Sequence, residues 1–175
     1  NCRRGTSSCG DDVVSGCVSN ATSKSVTGIH GKTYYCMVQA KDNVGNLSSW
    51  SASSDGITVD TAAPGSPAVP TDVGAYSTSA NITFTWSAAS DIGSGIQGYY
   101  CQVGTDPGAS NVFNGYLGNV TSRTVTGSLG NVYYCRARAI DRVGNLSAWS
   151  SSSDGIMIVQ YGDIAIGAVK NLPDL

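Results

Sequence analysis

The chain has 175 residues, of which 13% are charged, and its formal net charge is −2. Without a basic run, neither nucleic acid nor an anionic membrane surface is an expected partner. No apolar stretch approaches the length that spans a bilayer, so membrane insertion is not expected. Serine, threonine, glycine and valine are abundant, and this composition favours short strands and turns over helices.

In chain order, the first part of the sequence predicts a series of short β-strands. These predicted strands cover residues 1–6, 13–18, 23–28, 33–40 and 49–59. A short linker at residues 60–67 follows, because Pro64, Gly65 and Pro67 interrupt any strand ladder.

The second part of the sequence predicts longer strands with clear alternation. They cover residues 71–76, 81–86, 96–103 and 133–139, and the next strand begins near residue 149. In the second of them, Ile82, Phe84 and Trp86 share one face, which is typical of a half-buried strand. In the fourth, Arg136 and Arg138 face outward, where they could stack on Trp149.

The two parts are copies of each other. Residues 34–51 return as residues 133–150, and the offset of 99 holds without a gap up to residues 59 and 158. A period of this length indicates tandem copies of a whole domain. We therefore predict an all-β chain of two antiparallel β-sandwiches at residues 1–61 and 62–160, with an extended tail at 161–175.

The six cysteines predict disulfides. Three bridges are predicted: Cys2–Cys36, Cys101–Cys135 and Cys9–Cys17. The first two occupy equivalent positions in the two copies, and the third would close a hairpin found only in the first copy. Metal binding is the alternative, but there is no Cys-x-x-Cys and His30 is the only histidine. An even cysteine count predicts an oxidising compartment, and so an extracellular or cell-surface location. No cofactor is expected.

The second copy resembles a fibronectin type III domain of the kind found in bacterial and archaeal surface proteins. The resemblance is carried by Trp86, Ser94-Gly-Ile-x-Gly-Tyr99, Gly130-Asn-x-Tyr133 and Asp141-x-x-Gly-Asn145-x-Ser-x-Trp149-Ser150. It implies that Tyr133 is a corner tyrosine with its hydroxyl tied to nearby backbone. The cysteines depart from the family, where plain apolar residues are usual, and they should face each other across the third and sixth strands. The fold itself says little about function.

The first copy lacks counterparts of residues 62–99, about 38 residues that hold two strands and Trp86. Half a sandwich would expose the inner face of its sheet. Two explanations remain open. The missing strands precede Asn1 in a longer protein, or a strand from another subunit fills the gap by donor-strand complementation and builds a homo-oligomer or filament.

The tail offers one candidate assembly strand. Its alternating residues are Ile164, Ile166 and Ala168. A calcium loop between Asp163 and Asp174 is not expected, because Ala165 and Gly167 stand where oxygen ligands are needed.

The sequence offers no catalytic set. His30 has no counterpart in the second copy, and no phosphate-binding loop or Ser/His/Asp arrangement occurs in duplicate. Trp50 and Trp149 are candidates for stacking on sugars, although packing is the alternative for both. Five sequons are candidates for N-glycosylation: Asn20, Asn46, Asn81, Asn119 and Asn145. Asn46 and Asn145 follow glycine in a turn and are the weaker ones.

These patterns together predict a non-enzymatic extracellular structural module. It would be a surface stalk, an adhesin or a filament subunit joined head to tail by strand complementation. The alternative is an accessory fibronectin III or carbohydrate-binding module of a secreted polysaccharide-degrading enzyme, with glycans as partners.

Overall fold

The computed structural model describes residues 2–5, 14–16 and 20–161. Within these residues the chain forms β-strands and no helix, which confirms the predicted all-β class. The strands are β1 (Cys2–Gly5), β2 (Val14–Gly16), β3 (Thr33–Val38), β4 (Ile57–Thr58), β5 (Tyr76–Ser77), β6 (Asn81–Thr85), β7 (Ile96–Gly104), β8 (Phe113–Tyr116), β9 (Ser122–Thr126), β10 (Val132–Asp141) and β11 (Ile156–Ile158). Two compact units divide the chain: unit 1, Asn1–Ala62, and unit 2, Ala63–Leu175.

Unit 2 is a β-sandwich whose strand pairs are antiparallel, apart from β11 and β5, which run parallel. One sheet has the strand order β5-β11-β10-β7-β8, and the other consists of β6 and β9. The core between them takes Ile82 and Phe84 from β6, Val125 from β9, and every second residue of β7 and β10. The predicted alternation along β10 is therefore confirmed, because every second residue, on one face of the strand, is buried.

Three aromatic residues of this core, Trp86, Tyr99 and Tyr133, make specific contacts. The Trp86 and Tyr99 rings meet edge to face, with centroids 6.0 Å apart. The hydroxyl of Tyr133 accepts a hydrogen bond from the Ser128 backbone N–H at 2.8 Å. That bond is the corner-tyrosine contact that the family resemblance implied.

Unit 1 contains a single described sheet with the strand order β2-β1-β3-β4. Its β1–β3 pairing has the same register as the β7–β10 pairing of unit 2: Cys2 opposes Val38, as Cys101 opposes Ala137. The strand predicted at residues 23–28 is wrong, because these residues are not in a strand. Their counterpart β9 is held by pairing with β6, and the described part of unit 1 contains no counterpart of β6.

The strand predicted at residues 49–59 is also largely wrong, since only Ile57–Thr58 forms one. Serines replace the strand ladder there. Ser48, Ser51 and Ser54 each donate a backbone N–H to a carbonyl in the adjacent segment at residues 36–40. The hydroxyl of each serine accepts the backbone N–H of the residue whose carbonyl it contacts. Successive serines are three residues apart, whereas their partners are two apart. This stepping is incompatible with a regular strand, in which both chains advance together.

We call this arrangement the serine clamp. Unit 2 repeats it with Ser147, Ser150 and Ser153 against Ala139, Ala137 and Cys135. The clamp satisfies the edge of β10 with hydroxyl groups, so that edge is not available to a further strand along these residues.

Among the described residues, no helix is long and apolar enough to span a membrane.

Candidate functional site

The outer surface of unit 2 carries a cluster of cations and aromatic rings. The guanidinium carbon of Arg138 lies 4.6 Å from the Trp149 ring centroid and 5.2 Å from that of Tyr100. The guanidinium carbon of Arg136 lies 5.0 Å from the same Trp149 centroid. The predicted stacking of both arginines on Trp149 is therefore confirmed. Cation–π attraction of this kind holds long side chains in defined positions.

Strand register explains why these residues meet. Arg138 opposes Tyr100, which opposes Tyr116 on β8, and the two tyrosine rings are 5.2 Å apart. The neighbouring row runs from Arg136 through Gln102 to Asn114. Its members are joined by two hydrogen bonds, Arg136 Nε to Gln102 Oε1 at 2.8 Å and Gln102 Nε2 to Asn114 Oδ1 at 3.2 Å.

We call this surface the arginine face. It consists of Tyr100, Gln102, Asn114, Tyr116, Arg136 and Arg138. The sequence analysis identified the arginines but missed the other four. Their period-two alternation was visible, yet only the strand register shows that the rows line up.

The arrangement changes the interpretation of Trp149 as a sugar-stacking residue. Two guanidinium groups already lie against its ring, and the residue is half-buried. Trp149 therefore acts as a support for the arginines. In unit 1, Met37 and Gln39 occupy the arginine positions, and Gln39 donates to the Ser48 carbonyl at 2.7 Å. Trp50 is half-buried, as Trp149 is.

A second candidate surface is the inner side of the unit 1 sheet. We call it the open face: Cys36, Val38, Ala40 and Ile57, all exposed. Val38 is 55% exposed and Ile57 65%, whereas their counterparts Ala137 and Ile156 are both 0% exposed. The sequence predicted such a surface, and the described residues of unit 1 leave it uncovered.

The predicted bridge between Cys101 and Cys135 is not present. Both residues are buried thiols whose sulfur atoms share a hydrogen bond at 3.5 Å, far longer than a disulfide of about 2.05 Å. The cysteines lie on neighbouring strands as predicted, but Cys101 opposes Ala137 and Cys135 opposes Val103. They are therefore diagonal rather than opposite. The hydrogen bond with the Cys101 thiol and burial raise the pKa of Cys135 far above its usual value.

Aspartates close the turns after β3 and β10. In unit 2 the buried Asp141 carboxylate accepts from the Val143 and Asn145 backbone N–H groups and from Asn145 Nδ2 at 2.7 Å. Gly144 adopts φ 98° there, which favours glycine. Asp42 in unit 1 makes the same contacts, and hydrogen bonds led by the Asn46 side-chain amide lower its pKa below 3.8. Both aspartates are thus engaged in holding turns.

The sequons separate into two groups. In Asn46 and Asn145 the side-chain nitrogen already donates to an aspartate carboxylate. Asn20, Asn81 and Asn119 are exposed, as Asn46 is, but none of these three donates its side-chain nitrogen to a carboxylate of the described residues. Asn81 uses its Oδ1 to accept from Thr126 Oγ1 at 2.9 Å. The aspartate contacts of Asn46 and Asn145 leave these two as the weaker candidates.

The remaining predicted site residues cannot be placed. Cys9 and Cys17, the side chain of Cys2, and the tail residues Ile164, Ile166 and Ala168 lie outside the described part of the chain. The single histidine, His30, sits beside the end of unit 1, where its Nδ1 accepts from the Thr61 backbone N–H at 3.1 Å.

No protein-family model matches the sequence, and no curated protein matches it significantly. Among solved structures, the chain is similar to the sixth fibronectin type III domain of human fibronectin type III domain containing protein 3, with 19% identity, a TM-score of 0.44, and coverage of 58% of this chain and 92% of that one. It is also similar to titin kinase with its flanking domains (19% identity, TM-score 0.43, 61% and 19% covered). A third is the FN1–FN3 region of chicken CNTN1 (19% identity, TM-score 0.40, 75% and 44% covered). The chain spans less than half the length of the latter two.

Proposed function

We propose that this chain is a non-enzymatic structural module of an extracellular or cell-surface protein, in which a strand from another copy covers the open face of unit 1. The observation that supports this proposal is the contrast in burial between equivalent residues. Ile57 is 65% exposed where Ile156 is 0% exposed. An exposed row of apolar side chains on one sheet is a surface for association.

The cover in unit 2 indicates what the open face requires. There, β6 and the residue that follows it present Ile82, Phe84 and Trp86 at every second position, and all three are buried in the core with residues of β7 and β10. A donor for unit 1 must therefore be an extended segment with apolar residues two positions apart.

The tail of a second copy is the occupant that we propose. Ile164, Ile166 and Ala168 have the same spacing as Ile82, Phe84 and Trp86. The acceptor lies in the first unit and the donor follows the second, so each copy would offer its tail to the next. A contact between two different surfaces that does not close on itself builds a filament, as in a surface stalk or adhesin fibre.

An extracellular or surface location is part of the proposal. The exposed sequons at Asn20, Asn81 and Asn119 support it, because N-glycosylation is confined to proteins that enter a secretory route.

Peptide binding tests the proposal. A chain ending at residue 161 would be titrated with a peptide of residues 162–175 and followed by methyl NMR. We expect shifts at Val38 and Ile57, and binding that is lost in Val38→Asp. A peptide carrying Ile164→Asp and Ile166→Asp should not bind, whereas the matched control with Ala165→Asp and Gly167→Asp should. Equal binding of the two altered peptides, or no binding of the unaltered peptide, would reject the tail as donor and favour strands that precede Asn1 in a longer chain.

A further inference from the structure

The arginine face holds two cations that have no anionic partner. No carboxylate of the described residues forms an ion pair with Arg136 or Arg138, and both guanidinium groups are positioned by aromatic rings instead. Stacking on a ring leaves the positive charge unneutralised. The face therefore keeps a local positive potential on a unit that belongs to an acidic chain.

Most hydrogen-bond donors of these two groups are unused. A guanidinium carries five N–H donors in a fixed fork. Arg136 spends its Nε on Gln102, and Arg138 Nε is buried with no partner among the described residues. No hydrogen bond among the described residues occupies the Nη donors of either arginine, so an oxygen-bearing ligand can accept from these groups. Carboxylate oxygens match the fork in a bidentate manner.

Rings and amides continue the face beyond the arginines. Tyr116 is 47% exposed, and it follows Tyr100 in the row that begins with Arg138. Asn114 ends the parallel row and is exposed. From β10 to β8 the face spans two strand spacings, roughly 10 Å, a distance that a disaccharide covers. Cations at one end are thus followed by a flat apolar ring and by amide groups at the other.

We infer that the arginine face binds an acidic polysaccharide, with uronate carboxylates on Arg136 and Arg138 and a sugar ring against Tyr116. An acidic peptide fits less well. A peptide adds to a sheet through a free strand edge. The arginines lie on β10, which is paired with β7 and closed on its other side by the serine clamp and β11, and the free edge of the sheet beyond β7 is β8, two strands away from them. A ligand therefore reaches the arginines only by lying flat on the sheet.

Titration of the full chain with oligogalacturonate at low salt tests the inference. We expect NMR shifts at Tyr100, Gln102, Tyr116 and both arginines, and binding that weakens as salt is added, because exposed charges are screened. Arg138→Gln should weaken binding roughly tenfold or more. The matched control is Arg142→Gln, which removes the same charge from an exposed position of the adjacent turn and should leave binding unchanged.

Two further measurements test the binding surface even if Arg138→Gln lowers the stability of the protein. The wild-type shift map needs no variant, and Arg138→Lys keeps the charge but loses the planar fork, so it should bind more weakly than wild type. Equal binding of neutral dextran, shifts that map elsewhere, or equal losses in Arg138→Gln and Arg142→Gln would overturn it. Tighter binding of polyglutamate than of oligogalacturonate would overturn it in favour of an acidic peptide.

Discussion

Strands β3 and β10 both carry Tyr-Tyr-Cys directly after their first residue. Each is paired in the same register with its neighbour. Each has a corner tyrosine that accepts a backbone N–H, at 2.9 Å for Tyr34 and 2.8 Å for Tyr133. Yet every second residue of β10 is buried, whereas Cys36 and Val38 in β3 are exposed.

The comparison shows which features are encoded locally. Corner tyrosine, serine clamp and aspartate turn need only residues close in sequence or on the paired strand, so they form in both units. Burial of the inner face needs a second sheet, which only unit 2 has among the described residues. The cover is therefore separable from the sheet that it covers, and this makes donation by another copy physically reasonable.

The largest difference in stability between the two units is expected when a charge is placed at equivalent positions. Ala137→Asp puts an unpaired carboxylate into the core of unit 2 and should cost about 3–5 kcal/mol of its unfolding free energy. Val38→Asp adds the same group to an exposed position and should cost about 0.5 kcal/mol or less. Urea unfolding followed by peptide-resolved hydrogen exchange reports each unit separately. In a chain that ends at residue 161 and so has no tail to donate, comparable losses in the two units would show that the open face is covered within the chain.

Truncating the equivalent isoleucines gives a smaller effect of the same kind. Ile156 is fully buried, so Ile156→Ala should destabilise unit 2 by about 2–5 kcal/mol through lost contacts and a cavity. Ile57→Ala removes an exposed side chain and should change unit 1 by about 0.5 kcal/mol or less. The same exchange measurement applies, and a loss above that range in unit 1 would contradict the described exposure.

Removing one hydroxyl of the serine clamp from each unit should give a smaller difference in stability between the units. Ser150→Ala leaves the buried Ala137 N–H without its hydroxyl acceptor, which should cost about 1–3 kcal/mol. Ser51→Ala removes the same bond from Val38, but there the site is exposed and water replaces the hydroxyl. Thermal unfolding of both variants would check this order. A larger loss for Ser51→Ala is the opposite of what the structure predicts.

The smallest effect concerns Asp72, which has no counterpart in the first copy. Burial, with a further contribution from the charge on Asp154, raises the pKa of Asp72 above 3.8. Its charged form is therefore disfavoured in the folded state, and stability is lost as pH rises from 3.8 through the raised pKa. Asp72→Asn keeps an oxygen to accept the Gly74 N–H and should stabilise unit 2 at pH 7.

The control for this prediction is pH itself. The difference between Asp72→Asn and wild type should disappear when the two are unfolded below pH 3.8, because the carboxyl is then protonated in both states. A difference that persists unchanged at low pH would show that charge is not its cause.

The sequence predicted the features that depend on local pattern. Alternation in residues 133–139 gave the all-β class and the buried face of β10, and the family resemblance gave the role of Tyr133. The strand at 23–28 failed because pairing with a second sheet, rather than propensity, holds its counterpart β9. The strand predicted at 49–59 was largely wrong because serines at every third position bond the backbone at residues 36–40 in place of a strand ladder. The tyrosine and amide rows of the arginine face depend on register, which a single strand does not reveal.

Sedimentation velocity over a range of protein concentrations shows whether copies of the chain associate through the open face. The full chain should sediment faster as concentration rises, because the open face of one copy takes a strand from the next. Val38→Asp should sediment as a monomer throughout, and Met37→Asp, on the other side of the same strand, should behave like wild type. A wild-type chain that stays monomeric at every concentration would contradict the claim.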